Sequence, residues 1–191
     1  MNPPLILASS SPRRRELLAR LGVVPDRITS PGIDENPRKH ELPRIYALRM
    51  AEEKAKAVPR LQGEIVVAGD TTVAVGRRIL QQASDAETQR GFLQLLSGRR
   101  HHVLSAVAVI DPDGRMRSRI SDSVVRFKRL GPDEMDEYIA SGEGLGKAGG
   151  YAIQGRAEAL IDWMAGSHSG VIGMPLYETR LLLRASGYTV G

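Results

Sequence analysis

The chain has 191 residues, 41% hydrophobic and 26% charged, a balance that suits a soluble globular fold and a length that suits a sizeable core in one domain or two small lobes. It contains no cysteine, which excludes a disulfide framework, a thiolate nucleophile and cysteine-held metals, and fits a reducing compartment. A net charge of +5 favours anionic partners, yet 27 basic residues are mixed with 22 acidic ones and only 4% are aromatic, so no nucleic-acid partner is expected.

Met1 to Ala8 reads directly into a strand and not as a secretory leader, and no apolar run approaches the roughly 20 residues of a membrane span; a cytoplasmic location without a membrane partner is expected. Leu5 to Ala8 is a short buried strand, Ser9 to Ser11 a hydroxyl-rich turn, and Arg13 onward a helix burying Leu17, Leu18 and Leu21. Ser11 is the expected N-cap and Pro12 the first helical residue. Val23 to Ser30 reads as extended, and Leu42 to Ala57 as a helix burying Ile45, Leu48, Ala51 and Ala55. Ile65 to Ala68 is an apolar strand expected to deliver Gly69-Asp-Thr-Thr72 at its end.

A short strand or turn follows over 75–80, then a helix capped by Ser84 and stopped by Gly98. His102 to Ile110 and Arg117 to Lys128 form a hairpin around Asp111-Pro-Asp-Gly114. Pro132 to Ala140 is a helix, and Gly144 to Gly155 is too glycine-rich for a regular element and reads as a binding loop. Leu160 to Met164 is a strand, Gly166 to Gly173 a loop, and Leu176 to Ser186 a final helix. This order predicts an α/β to α+β fold on a mixed sheet, a single domain over 1–191.

The chemistry-bearing residues cluster in a few of these segments. Arg13, Arg14 and Arg15 occupy a first helical turn, where the macrodipole disfavours cations. A bound phosphate compensates them, with help from Ser9 and orphan N–H groups; solvation or pairing with Glu16 is the alternative. Asp70 after a buried strand suits a metal ligand or general base, with Thr71 and Thr72 beside it, or equally an Asx-turn. Lys54 either reaches phosphate or simply complements its helix dipole. Gly149-Gly150 allows close ligand approach and Gln154 offers an amide to a base edge, while a structural turn explains the glycines as well. Asp34 and Glu35 lie in a turn, solvated or supporting a metal. His101, His102 and His168 lack a zinc spacing, and the nucleophile-elbow, phosphate-loop and dinucleotide fingerprints are missing.

Together the segments Leu7-Ala-Ser-Ser-Ser-Pro-Arg-Arg-Arg-Glu-Leu-Leu18, Ala51-Glu-Glu-Lys-Ala55, Ala68-Gly-Asp-Thr-Thr-Val73, Leu96-Ser-Gly98, Lys147-Ala-Gly-Gly-Tyr-Ala-Ile-Gln-Gly155 and Gly166-Ser-His-Ser-Gly-Val-Ile-Gly-Met-Pro175 resemble the Maf proteins, which are nucleoside triphosphate pyrophosphatases. The block ending at Gly155 resembles the branch acting on dTTP and UTP. The resemblance implies an elongated mixed sheet flanked by helices, Maf/inosine triphosphatase-like, with a ligand cleft between two lobes. It implies hydrolysis of a nucleoside triphosphate to the monophosphate and pyrophosphate with a divalent cation, Mg²⁺ or Mn²⁺, and a homodimer. By it, Asp70 accepts the proton of the attacking water and contacts the metal. Ser9, Arg14 and Lys54 bind the triphosphate, and Arg13, Thr71 and Gln154 set base specificity. One departure stands out: Gln82 occupies the position where the family has a lysine. That motivates a second reading, a nucleotide-binding regulatory protein with weak or lost catalysis.

Overall fold

The computed structural model describes residues 2–190. Seven strands form one mixed sheet: β1 (Leu5–Ala8), β2 (Arg27–Thr29), β3 (Ile65–Val75), β4 (Arg78–Leu80), β5 (Arg100–Ile110), β6 (Met116–Phe127) and β7 (Ile161–Ala165). Their spatial order is β2-β1-β3-β5-β6-β7, with β4 folded back on β3. β1 is parallel to both β2 and β3, and the remaining pairings are antiparallel. The helices are α1 (Pro12–Ala19), α2 (Pro43–Ala57), α3 (Ala86–Leu96), α4 (Pro132–Ala140), α5 (His168–Ile172) and α6 (Leu176–Ala185).

Strand alternation divides the core between the two faces of the sheet. Leu5, Leu7 and Val67 join a large cluster that also takes in Leu17, Leu18, Leu93, Phe127 and Leu183. Ile6, Ala8, Val66 and Ala68 face the other way and pack with Ala47, Ala51 and Ala55 of α2. These alanines, with Ala106 and Ala108 beneath them, let α2 lie close against the sheet. Among the described residues no helix is long and apolar enough to cross a membrane.

Several expectations are corrected. The inner face of α2 is Tyr46, Ala47, Met50, Ala51, Lys54 and Ala55, whereas Ile45 is 55% exposed. Tyr46, Met50 and Lys54 run down that face four residues apart beside Ala47, Ala51 and Ala55, and Ile45 lies off it. Ser11 occupies the N-cap position of α1 without accepting a capping bond. Asp85, not Ser84, caps α3: its Oδ1 accepts from Thr88 N at 2.7 Å, and a carboxylate also complements the helix dipole. The stretch expected as a loop over 166–173 contains α5, capped by Ser167 Oγ, which accepts from Gly170 N at 3.0 Å. Most consequential, Asp70 is not at a strand end. β3 continues through it to Val75, because β5 pairs with the whole span from Val66 to Ala74.

Candidate active site

The site begins where β1 stops and β3 does not. Ala8 is registered against Ala68, so the chain leaving β1 at Ser9 emerges beside Gly69-Asp70. Asp70 continues the Val66, Ala68 alternation and therefore points to the α2 side. There Lys54 Nζ donates to Asp70 Oδ1 at 2.8 Å and to Glu35 Oε2 at 2.7 Å. Thr72 Oγ1 donates to Asp70 Oδ2 at 2.9 Å. Lys54 and Asp70 are 5% and 6% exposed, so this is a desolvated pair in which each charge depends on the other. Asp34 makes the Asx-turn onto Asn36 N at 3.0 Å, leaving its neighbour Glu35 to reach Lys54.

Arg14 ties α1 to the far side of the site. Its Nε donates to the Gly173 carbonyl at 3.0 Å and its Nη1 to Ser9 Oγ at 3.1 Å; the same hydroxyl oxygen accepts from Ser11 N at 3.1 Å. Gly69 leaves room for it, since a Cβ there would stand 3.3 Å from both Arg14 Nε and the Ala106 carbonyl oxygen, a tight approach. Burial lowers the pKa of Arg14 from its ordinary value, opposed by Asp70 and then Glu35. Burial and the neighbouring Arg14 likewise lower that of Arg13. Both guanidiniums are thus held at some electrostatic cost, which an anion would offset.

A cavity of about 400 Å³ opens onto these groups. It gathers Ser9, Arg13, Arg14, Lys54, Asp70, Thr71 and Gln82, seven of the eight residues expected from the sequence. A neighbouring cavity of about 330 Å³ shares Glu35, Asp70, Thr71, Gln82 and Ala148 with it, so Asp70 stands at the junction of the two. Gln154, expected to face this cleft, is exposed and lines neither cavity. The loop turns inward earlier, through Gly146, Lys147, Ala148 and Tyr151. Lys147 was given no role from sequence; a lysine inside a glycine-rich loop was the available signal. Tyr151 OH hydrogen-bonds His101 Nε2 at 2.8 Å behind the cavity wall, and burial lowers the His101 pKa to about 4.

Chemically, the arrangement sets hydroxyls and guanidiniums against a carboxylate that keeps unused lone pairs, since each Asp70 oxygen accepts only one of these bonds. A family model described as Maf-like protein matches residues 4–186. The chain belongs to the Maf family. Among Maf relatives, the "dTTP/UTP pyrophosphatase" of Sphingopyxis alaskensis is 60% identical over 189 residues, 99% of this chain and 100% of that protein. The proteins of the same name from Novosphingobium aromaticivorans and Rhodospirillum rubrum are 59% and 55% identical, across 99% and 98% of this chain and 94% and 90% of theirs. A solved dITP/XTP pyrophosphatase from Mycobacterium abscessus resembles 66% of this Maf chain and 74% of its own, at 23% identity and TM-score 0.42.

Proposed function

We propose that this Maf protein hydrolyses dTTP, UTP or related nucleotides, including modified ones, to the monophosphate and pyrophosphate. The observation that carries the reading is the convergence of Ser9, Arg13, Arg14, Lys54, Asp70, Thr71 and Gln82 on one cavity. The names borne by relatives of 50–60% identity agree with it. In this reading Ser9, Arg14 and Lys54 bind the triphosphate, while Arg13, Thr71 and the outlying Gln154 set base preference. Asp70 orients a water and takes its proton as the water adds at the anhydride between the α- and β-phosphates. Thr72 and Lys54 each donate to one of its oxygens and fix that carboxylate in direction.

The donor set suits a divalent cation, Mg²⁺ or Mn²⁺. Asp70 and Glu35 already converge on one positive centre, the Lys54 ammonium, and both offer hard oxygen ligands. Among the described residues no third carboxylate or histidine joins them. Asp70, with Glu35 beside it, would hold such an ion together with phosphate oxygens, and the ion would shield the anhydride's charge. The family resemblance also implies a cytoplasmic homodimer, which light scattering on the eluted protein tests for its oligomeric part.

Pyrophosphate release from a panel of nucleoside triphosphates, with Mg²⁺ and Mn²⁺, decides the reading. Activity on dTTP or UTP that falls by about 10²–10⁴ in Asp70→Asn supports it; silence of the wild type on every substrate sinks it. A second reading rests on Gln82, a neutral amide on the cavity wall: nucleotide binding with weak or lost catalysis. A gain of about 10²–10³ in turnover in Gln82→Lys, at unchanged nucleotide affinity, would favour that second reading.

A further inference from the structure

Lys147 sits in a loop whose backbone is fixed and whose charge is not used. Gly146 N donates to the Ala83 carbonyl at 2.9 Å, Ala83 N to the Lys147 carbonyl at 3.1 Å, and Gly149 N to the carbonyls of Leu80 and Gln81 at 3.1 Å each. Gln89 Nε2 adds a bond to the Gly150 carbonyl at 3.0 Å. These contacts lace the loop onto the segment carrying Gln82, with Gln82 bridged to Ala148, so Lys147 and Gln82 reach the same cavity from adjacent backbone. Among the described residues no carboxylate lies at ion-pair distance from Lys147, nor from Arg13, which enters that cavity from α1 and feels Glu16 only through space. Burial, and after it the charge of Arg13, lower the Lys147 pKa from its ordinary value. Two unpaired cations on separate chain segments thus face one cavity. A polyanion bound between them would relieve their repulsion and use both.

We propose that Lys147 is a triphosphate-binding residue, closing on the anion together with Arg13 and supplying positive charge beside the neutral Gln82. The identity of the anion rests on the pyrophosphatase reading, but the cation site does not. The test is calorimetric titration of inorganic tripolyphosphate into wild type, Lys147→Gln and Lys147→Arg, each checked for an unchanged circular dichroism spectrum. Loss of one charge-assisted contact should weaken tripolyphosphate binding by about tenfold to a hundredfold in Lys147→Gln. Lys147→Arg should stay within about threefold of wild type, because it keeps the charge at the end of a long side chain. Equal affinity in wild type and Lys147→Gln overturns the proposal, as does equal weakening in Lys147→Arg and Lys147→Gln, which would mean that only the fit of the loop matters. Absence of pyrophosphate release by the wild type would sink the pyrophosphatase reading and leave the tripolyphosphate titration to decide Lys147 by itself.

Discussion

Lys54 neutralises two carboxylates at once, one buried and one exposed, and that makes it the most exposed point of failure in the site. Removing one partner of a buried pair leaves an uncompensated charge, which typically costs about 3–5 kcal/mol. Lys54→Met should therefore lower the thermal midpoint by roughly 6–20 °C at neutral pH, taking about 2–4 °C per kcal/mol for a chain of this size. Asp70→Asn in the same chain should recover part of that loss, because the carboxylate left stranded is then gone; midpoints that simply add across the double variant would contradict the coupling. At this scale the sequence was informative. The arginine-loaded helix start, Asp70 and Lys54 announce themselves by residue type and neighbours. Gly69 did not, because its function is to leave room for Arg14, and space is invisible in a sequence. The Lys54 side chain was open between two readings until α2 was seen to turn it inward.

Among the elements, helices and hairpin were legible from periodicity, and the errors fell where packing overrode local preference. Gly and Asp are poor strand residues, so reading β3 as ending at Ala68 followed propensity; eleven residues nevertheless stay extended because β5 pairs along them. The Gly-rich loop was legible as irregular but not as inward-folding, and its glycines differ in what they tolerate. A Cβ on Gly144 would lie 2.0 Å from the Gly150 carbonyl oxygen and 2.2 Å from Gln89 Nε2, in the latch that seats the loop. Gly146 has open space around it and only its φ of +67° to accommodate. Gly144→Ala should destabilise by about 2–4 kcal/mol and expose the loop to limited proteolysis, whereas Gly146→Ala should cost roughly 1 kcal/mol. Equal midpoints for the two variants would rule out the latch.

For the whole molecule, the strand order was beyond reach of the sequence, because which strand lies beside which is decided by nonlocal pairing and register. That order sets β5 between β3 and β6, joining the strand of the candidate site to the wall behind it. In that wall His101 is 1% exposed, stacked on Phe127 with ring centroids 5.9 Å apart and bonded to Tyr151. A charged imidazole there would lose its hydration, so its pKa falls from 6.5 to about 4 on folding. Below 6.5 the unfolded chain takes up a proton that the folded chain refuses, so this contribution is complete above pH 6.5 and is lost as pH falls through 4. By pH 5 the loss is about 2 kcal/mol, or roughly 4–8 °C in thermal midpoint. His101→Gln, which keeps a polar partner for Tyr151 but does not titrate, should be less stable than wild type at pH 7 yet flatter between pH 6.5 and 4.5. Scanning calorimetry of the two proteins across that interval reads the difference directly, and parallel curves would mean that His101 is not the group that couples this fold to acid.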